Sequence, residues 1–192
     1  MQKPNGYDEQ QVSGNFVPVE LGGHHAGILE VTEMQSSTGK PMIVVKLDFA
    51  KNDSQAHYFS NMFKEDKRED KKWPFNGMQY ILTEDNDGKC SRNFKAFITS
   101  FEKSNNTQVK WDDSFCSQFK NKKIGVVYGE VEEEYNGEVK TRRRIRWFCE
   151  DSKVGEQKVP ARKNLSTSST PASKSTNNFV DVPEGLEDEI PF

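Results

Sequence analysis

Two groups of residues in this chain have the types and spacing to do chemistry at a surface. The first is Lys140, Arg142, Arg144 and Arg146, cations at every second position of KTRRRIR. In an extended strand that spacing puts all four on one face. The resulting stripe can follow a run of phosphates, and a guanidinium can also stack on a planar base. The second group closes the sequence as EGLEDEIPF, where Glu184, Glu187, Asp188 and Glu189 precede an apolar Ile190-Pro191-Phe192. A flexible tail normally thins out into polar residues. This one ends on a shape, as a docking ligand does.

Aromatic rings could complete the first group. Single-strand binders stack bases on exposed rings, each worth typically ~1–3 kcal/mol. Trp73 and Phe75 adjoin the charged insertion KEDKREDKKW, and Tyr58, Tyr80 and Phe148 lie outside the helical apolar stripe described below. With Lys46, on the solvated side of its strand, these five rings and the four strand cations make up the candidate nucleic-acid site. The competing reading is a solvated hairpin whose cations are balanced by Glu132, Glu133 and Glu134. The acids cluster toward the hairpin tip and the arginines toward the body, which favours function.

Signals for catalysis are poor. His24, His25 and His57 with Cys90 match no structural zinc spacing. There is no Walker loop, no GxSxG and no HExxH. Asp112-Asp113 reads as a capping pair. Asp85 to Gly88 lacks the distal glutamate of a calcium loop and reads as a plain turn. The sequence therefore points to a non-enzymatic protein with no catalytic residue, no metal and no cofactor. Cys90, Cys116 and Cys149 are isolated and odd in number, which suits idle thiols rather than a disulfide framework. No run of 18 or more apolar residues exists and the N-terminus has no apolar core, so the expectation is a cytoplasmic protein without a membrane partner.

The elements that must position these residues follow from periodicity. AGILEVTEM and PMIVVKLDFA flank the turn residues SSTGK. In the second run Ile43, Val45, Leu47 and Phe49 share one side, while Val44, Lys46 and Asp48 share the other. HYFS (57–60) and MQYILT (78–83) read as further short strands. RNFKAFITSFEKS is a helix: Phe94, Phe97, Ile98 and Phe101 recur at helical spacing and Ser91 stands at its N-cap. Trp111, Phe115 and Phe119 recur every four residues, as in a packed short helix. Asn136-Gly137 between two alternating runs predicts a hairpin. Its register would place Tyr135 opposite Glu138, Glu133 opposite Lys140, Val131 opposite Arg142, Gly129 opposite Arg144 and Val127 opposite Arg146. Ile124, Val126, Tyr128, Ile145, Trp147 and Cys149 then face the core, with Arg143 opposite Glu130.

Several strands, one helix and a long final hairpin fit a mainly β, OB-fold-like domain: a five-stranded Greek-key barrel with a helix between its third and fourth strands. We place it at residues 12–155, after a flexible N-terminus of 1–11. Residues 156–180, containing KNLSTSSTPASKSTNN, read as a Ser/Thr-rich disordered linker. Its reach is roughly 25–30 Å. Residues 181–192 form an acidic tip with five carboxylates and no base, which invites a basic partner.

The ending Asp188-Glu189-Ile190-Pro191-Phe192 resembles the tip of bacterial and phage single-stranded-DNA-binding proteins, which commonly end Asp-Ile-Pro-Phe after several acids. Glu189 stands where Asp is usual and keeps the charge. Residues 90–147, through FKAFITSFEKSN, Lys110-Trp111 and KNKKIGVVYGEVEEEYNGEVKTRRRIR, are similar to a group of phage proteins of replication and recombination cassettes. The resemblance implies binding and protection of single-stranded DNA in replication, recombination and repair, within the cytoplasm of a bacterial host. It also implies recruitment of helicase, exonuclease or primase through the tip, where the terminal Phe enters an apolar pocket and its carboxylate meets a basic residue. Homo-oligomerisation is left open. The alternative expectation is a phage adaptor or decoy that engages host enzymes through the same tip without touching DNA.

Overall fold

The structure, a computed structural model, describes Lys3 and residues 17–165. The expected N-terminal segment 1–11, apart from Lys3, the linker beyond residue 165 and the acidic tip lie outside the described residues. Strands β1 (Gly22–Gln35) and β2 (Pro41–Phe49) are followed by helix α1 (Tyr58–Glu65), strand β3 (Met78–Leu82) and helix α2 (Arg92–Asn105). Strands β4 (Lys123–Tyr135) and β5 (Glu138–Cys149) complete the set. The five strands form one antiparallel sheet in the order β3-β2-β1-β4-β5. Its two edges, β3 and β5, are not paired with each other, and α2 packs against both of them and against β4. Among the described residues no helix is long and apolar enough to cross a membrane.

Alternation builds the sheet as the sequence suggests. Ile43, Val45, Leu47 and Phe49 of β2 are buried, and they share one core with Ile28, Ile124, Val126 and Tyr128. The stripe of α2 closes that core through Phe94, Phe97, Ile98 and Phe101. Ser91 caps α2: its Oγ accepts the Phe94 N–H at 3.1 Å. Asn106, in the left-handed region at φ 50°, ends it.

The final hairpin turns at Asn136 (φ 53°) and Gly137 (φ 77°), both in the conformation such a turn requires. Its register matches the expectation from Tyr135–Glu138 through Gly129–Arg144 and Tyr128–Ile145. It then slips. Val127 lies opposite Trp147, so Arg146 is an extra, bulged residue on β5. The slip exchanges the two faces beyond it. Phe148 enters the main core, 8% exposed, with its ring 5.1 Å from Phe97. Trp147 leaves that core and packs with Val127, Cys149 and Val154. Phe148 is therefore a packing residue, a correction to its expected role as a stacking ring.

Three further expectations are corrected. HYFS is not a strand: Tyr58–Glu65 is helix α1. The cap comes from a distant residue. Asp48 Oδ1, buried at the end of β2, accepts the N–H groups of Phe59 at 2.9 Å and Ser60 at 3.3 Å. His57, at φ 58°, precedes the helix and supplies no side-chain cap. Residues 111–119 form turns and a short 3-10 helix at Ser117–Phe119 rather than one α-helix. Phe115 and Phe119 are buried there, but Trp111 is 68% exposed.

The domain also continues beyond 155. After a 3-10 helix at Asp151–Glu156 the chain runs back along the distal half of β4. That half is open because β1 pairs with β4 only as far as Tyr128. Lys163 N–H donates to Glu130 O at 2.9 Å, and Glu132 N–H donates to Lys163 O at 2.8 Å. Arg162 meets Glu130 at 3.0 Å and Glu132 at 3.5 Å. Residues 157–165 thus form a strap and not a linker. Gly129 admits it: a Cβ there would stand 2.5 Å from Pro160 Cγ and 2.8 Å from Arg146 Cγ.

Candidate nucleic-acid interface

Because β3 and β5 leave a gap between them, a groove of about 190 Å³ opens along the seam. Met78 and Tyr80 line it from β3, Asn93 and Ala96 from α2, and Arg144, Arg146 and Trp147 from β5. Phe75, on the 3-10 turn before β3, lies at the same groove, as do Glu133 and Lys163. Core side chains Ile81, Ile145 and Phe148 form its apolar floor.

The strand alternation delivers the cations to one face, and each has partners. Lys140 pairs with Glu138 at 2.9 Å and remains half exposed. Arg142 Nε reaches Glu133 Oε2 at 3.3 Å, with its side chain 43% exposed. Arg144 is held far more firmly. Its Nε donates to Glu133 Oε1 at 2.6 Å and its Nη2 to Oε2 at 2.7 Å. Its Nη1 donates to Asn76 Oδ1. Its guanidinium carbon lies 4.5 Å from the centre of the Phe75 ring. Arg146, the bulged residue, turns toward the strap and donates to Glu130 O at 3.3 Å and Ala161 O at 3.2 Å. Burial lowers its pKa from the ordinary arginine value.

The rings do not form one set. Phe75 and Tyr80 stack at 6.1 Å and 27°, beside Arg144. Trp73 lies beneath the Lys46 ammonium at 5.0 Å, and its Nε1 donates to Gly77 O at 3.2 Å. Lys46 also approaches Glu30 at 3.8 Å. Tyr58 belongs elsewhere. It packs against Phe49 and Phe59, and its hydroxyl donates to Val17 O at 2.7 Å. Burial raises the Tyr58 pKa. The structure thus gathers Phe75, Tyr80 and Arg144 at the groove with Arg142 and Lys140 further along the arm, keeps Lys46 and Trp73 as a neighbouring pair, sets Phe148 in the core beneath the groove, and separates Tyr58 from both.

Residues absent from the expected set are Asn76, Glu133, Trp147 and Lys163. Glu133 was readable from the hairpin register, because the partner of Lys140 is the diagonal neighbour of Arg142. Trp147 reaches the groove only through the bulge, and its Nε1 donates to Gln157 Oε1 at 3.2 Å. Nothing in the sequence marks Asn76 or Lys163.

Of the acids and histidines read as non-metal residues, Asp85 closes a turn by accepting the N–H groups of Asp87 and Lys89, each at 2.9 Å. Asp112 accepts the Ser114 N–H at 2.8 Å. Among the described residues no group of three or more His, Cys, Asp or Glu side chains could hold a metal ion. Compared with known proteins, this chain matches no family model and no curated sequence.

Proposed function

We propose that the β3–β5 groove and the adjoining face of β5 bind single-stranded DNA, and that the protein covers and protects such strands during replication, recombination and repair. The observation that carries this reading is the series Tyr80, Phe75 and Arg144 at the mouth of the groove, with Arg142 and Lys140 beyond it. Planar groups beside an apolar floor suit unpaired bases, and the exposed cations suit the phosphates between them. The strand order and the helix between β3 and β4 support an OB-fold reading, in which the unpaired β3–β5 seam is the incompletely closed side of a five-stranded barrel. The segment Asp188–Phe192 supports the second half of the proposal, recruitment of helicase, exonuclease or primase enzymes through an acidic, apolar-ended ligand.

Titration of labelled oligo-dT, with duplex of the same length as control, tests the first half. Single strands bind more tightly, and the affinity falls with salt at a log–log slope of about −0.7 per phosphate neutralised. Equal affinity for duplex, or a flat salt response, overturns it. Absence of oligo-dT binding together with tight binding of the 174–192 peptide to a host exonuclease selects the adaptor reading instead. If that peptide binds equally well without Phe192, the recruitment half fails.

A further inference from the structure

A stripe of four cations suggests four equivalent phosphate contacts, but the geometry makes them unequal. Arg144 is set apart from Lys140 and Arg142 by what holds it. Three of its N–H groups are committed within the plane of the guanidinium, two to the Glu133 carboxylate and one to Asn76. A guanidinium has five N–H donors in a flat fork, and a carboxylate in side-on bidentate contact is among the stronger partners it can have. A phosphate would have to displace that carboxylate. Phe75 lies against the guanidinium, its ring centre 4.5 Å from the central carbon, and in turn stacks against Tyr80. The side chain is 19% exposed and lines the groove. Lys140 and Arg142, 49% and 43% exposed, each meet a carboxylate through one nitrogen, at Glu138 and Glu133, a looser hold than the three contacts on Arg144.

We propose that Arg144 is a stacking platform for an unpaired nucleobase and not a phosphate contact, with Glu133 and Asn76 as the positioning residues that hold its plane against Phe75. The base continues the series of planar groups into the groove, while the phosphates on either side of it lie along Arg142 and Lys140. This rests on the single-strand reading above and assigns the parts of that site.

Arg144→Lys keeps the charge and removes the plane. The test titrates wild type and variant against oligo-dT and against a fully abasic strand of equal length, over a range of salt. The platform predicts at least about fivefold weaker oligo-dT binding, the lower end of a single stacking contact. It also predicts an unchanged salt slope and an unchanged affinity for the abasic strand. Equal weakening on both ligands, or oligo-dT affinity equal to wild type, overturns it. Should Arg144→Lys fail to fold, Arg144→Gln removes the plane and leaves the Glu133–Arg142 pair in place. The platform then predicts weaker oligo-dT binding at unchanged slope, whereas a phosphate contact predicts a slope smaller by about 0.7. Wild-type protein that ignores oligo-dT sinks the single-strand reading and this inference together. Wild-type binding with an indifferent Arg144→Lys sinks this inference alone.

Discussion

Two side-chain pairs in this molecule share one design and differ in how deeply they are buried. His24 and Arg144 are both planar groups whose in-plane nitrogens face a carboxylate and a second oxygen. His24 Nδ1 faces Asp53 at 3.0 Å and its Nε2 faces Glu20 O at 3.0 Å. Both also lie against an aromatic ring: His24 stacks on Phe49 at 4.3 Å and 3°, as Arg144 lies over Phe75. The difference is burial. Tyr128 closes on His24 edge-on, and the His24 and Asp53 side chains are 2% and 4% exposed. The Arg144 and Glu133 side chains are 19% and 27% exposed, at the edge of a groove. The sealed pair ties the start of β1 to the loop after β2. The half-open pair presents a surface that a ligand can share.

Removing one partner of each pair separates the two most sharply. His24→Ala leaves Asp53 buried with only the N–H groups of His25 and Gln55 as partners. Breaking a buried pair from one side typically costs about 3–5 kcal/mol. Denaturant unfolding should show a loss of that order, with residual oligo-dT binding in the folded fraction. Glu133→Ala, at a half-open site, should cost less than about 1 kcal/mol in the same assay. Comparable losses would dissolve the contrast.

Gly129→Ala tests the strap, which also borders the groove through Lys163. The added Cβ would overlap Pro160 and Arg146, so the strap must shift. The expected cost is about 1–3 kcal/mol, the range for inserting a methyl group into packed surroundings. Hydrogen exchange should increase at Lys163 and Glu132, whose backbone bonds join the strap to β4. Unchanged exchange there would show that the strap is not seated against Gly129.

The third effect is on binding. Arg142→Ala with Arg144→Ala removes one exposed cation and the platform, and oligo-dT affinity should fall at least tenfold, about 1.4 kcal/mol. Arg146 is left in place because it holds the strap, so its loss would confuse binding with folding. The melting temperature should fall modestly, since Arg142 is 43% exposed but Arg144, at 19%, holds Glu133 and Asn76. Wild-type affinity in the folded double variant would show that the binding face lies elsewhere.

What the sequence made legible is local, and what it hid depends on distant partners. Asn136-Gly137 sets the hairpin register for eight residues on each strand, because turn and alternation act on neighbours. The slip at Arg146 occurs where β4 begins to pair with β1 as well, and no count from the turn can see a second partner. For the same reason Trp147 and Phe148 exchange faces. Helix α1 looked like a strand because its cap is the Asp48 carboxylate, supplied from the end of β2. The α2 stripe was legible because both its periodicity and its Ser91 cap lie within it. The candidate site was half legible. Alternation reveals a stripe of cations, but only the fold shows that Arg144 is held beside Phe75 by Glu133 and Asn76 while Arg146 turns to the strap.

The smallest expected effect comes from titrating His24 rather than removing it. Both of its ring nitrogens face acceptors, and only the imidazolium can donate from both. Burial opposes that charge, but the Asp53 hydrogen bond, the Glu20 carbonyl and the two nearby carboxylates outweigh it and raise the pKa above 6.5. Asp53 responds in the opposite sense. Burial pushes its pKa up, while the bonds from His24 and from the Gln55 and His25 N–H groups pull it below 3.8. The His24 contribution to stability is therefore complete below its unfolded pKa of about 6.5 and is lost as pH rises through the higher folded value. The Asp53 contribution is complete above its own unfolded value and is lost as pH falls through the lower folded one. The two tyrosines on this side of the core, Tyr128 and Tyr58, have raised pKa values and ionise only at more alkaline pH. Unfolding free energies at about pH 5.5 and about pH 8.5 should thus be higher at the acid end in wild type. The same difference should shrink in His24→Gln, which keeps hydrogen-bonding capacity but cannot titrate. If wild type gains stability over this interval relative to His24→Gln, the buried ring is neutral and the sealed pair is not an ion pair at all.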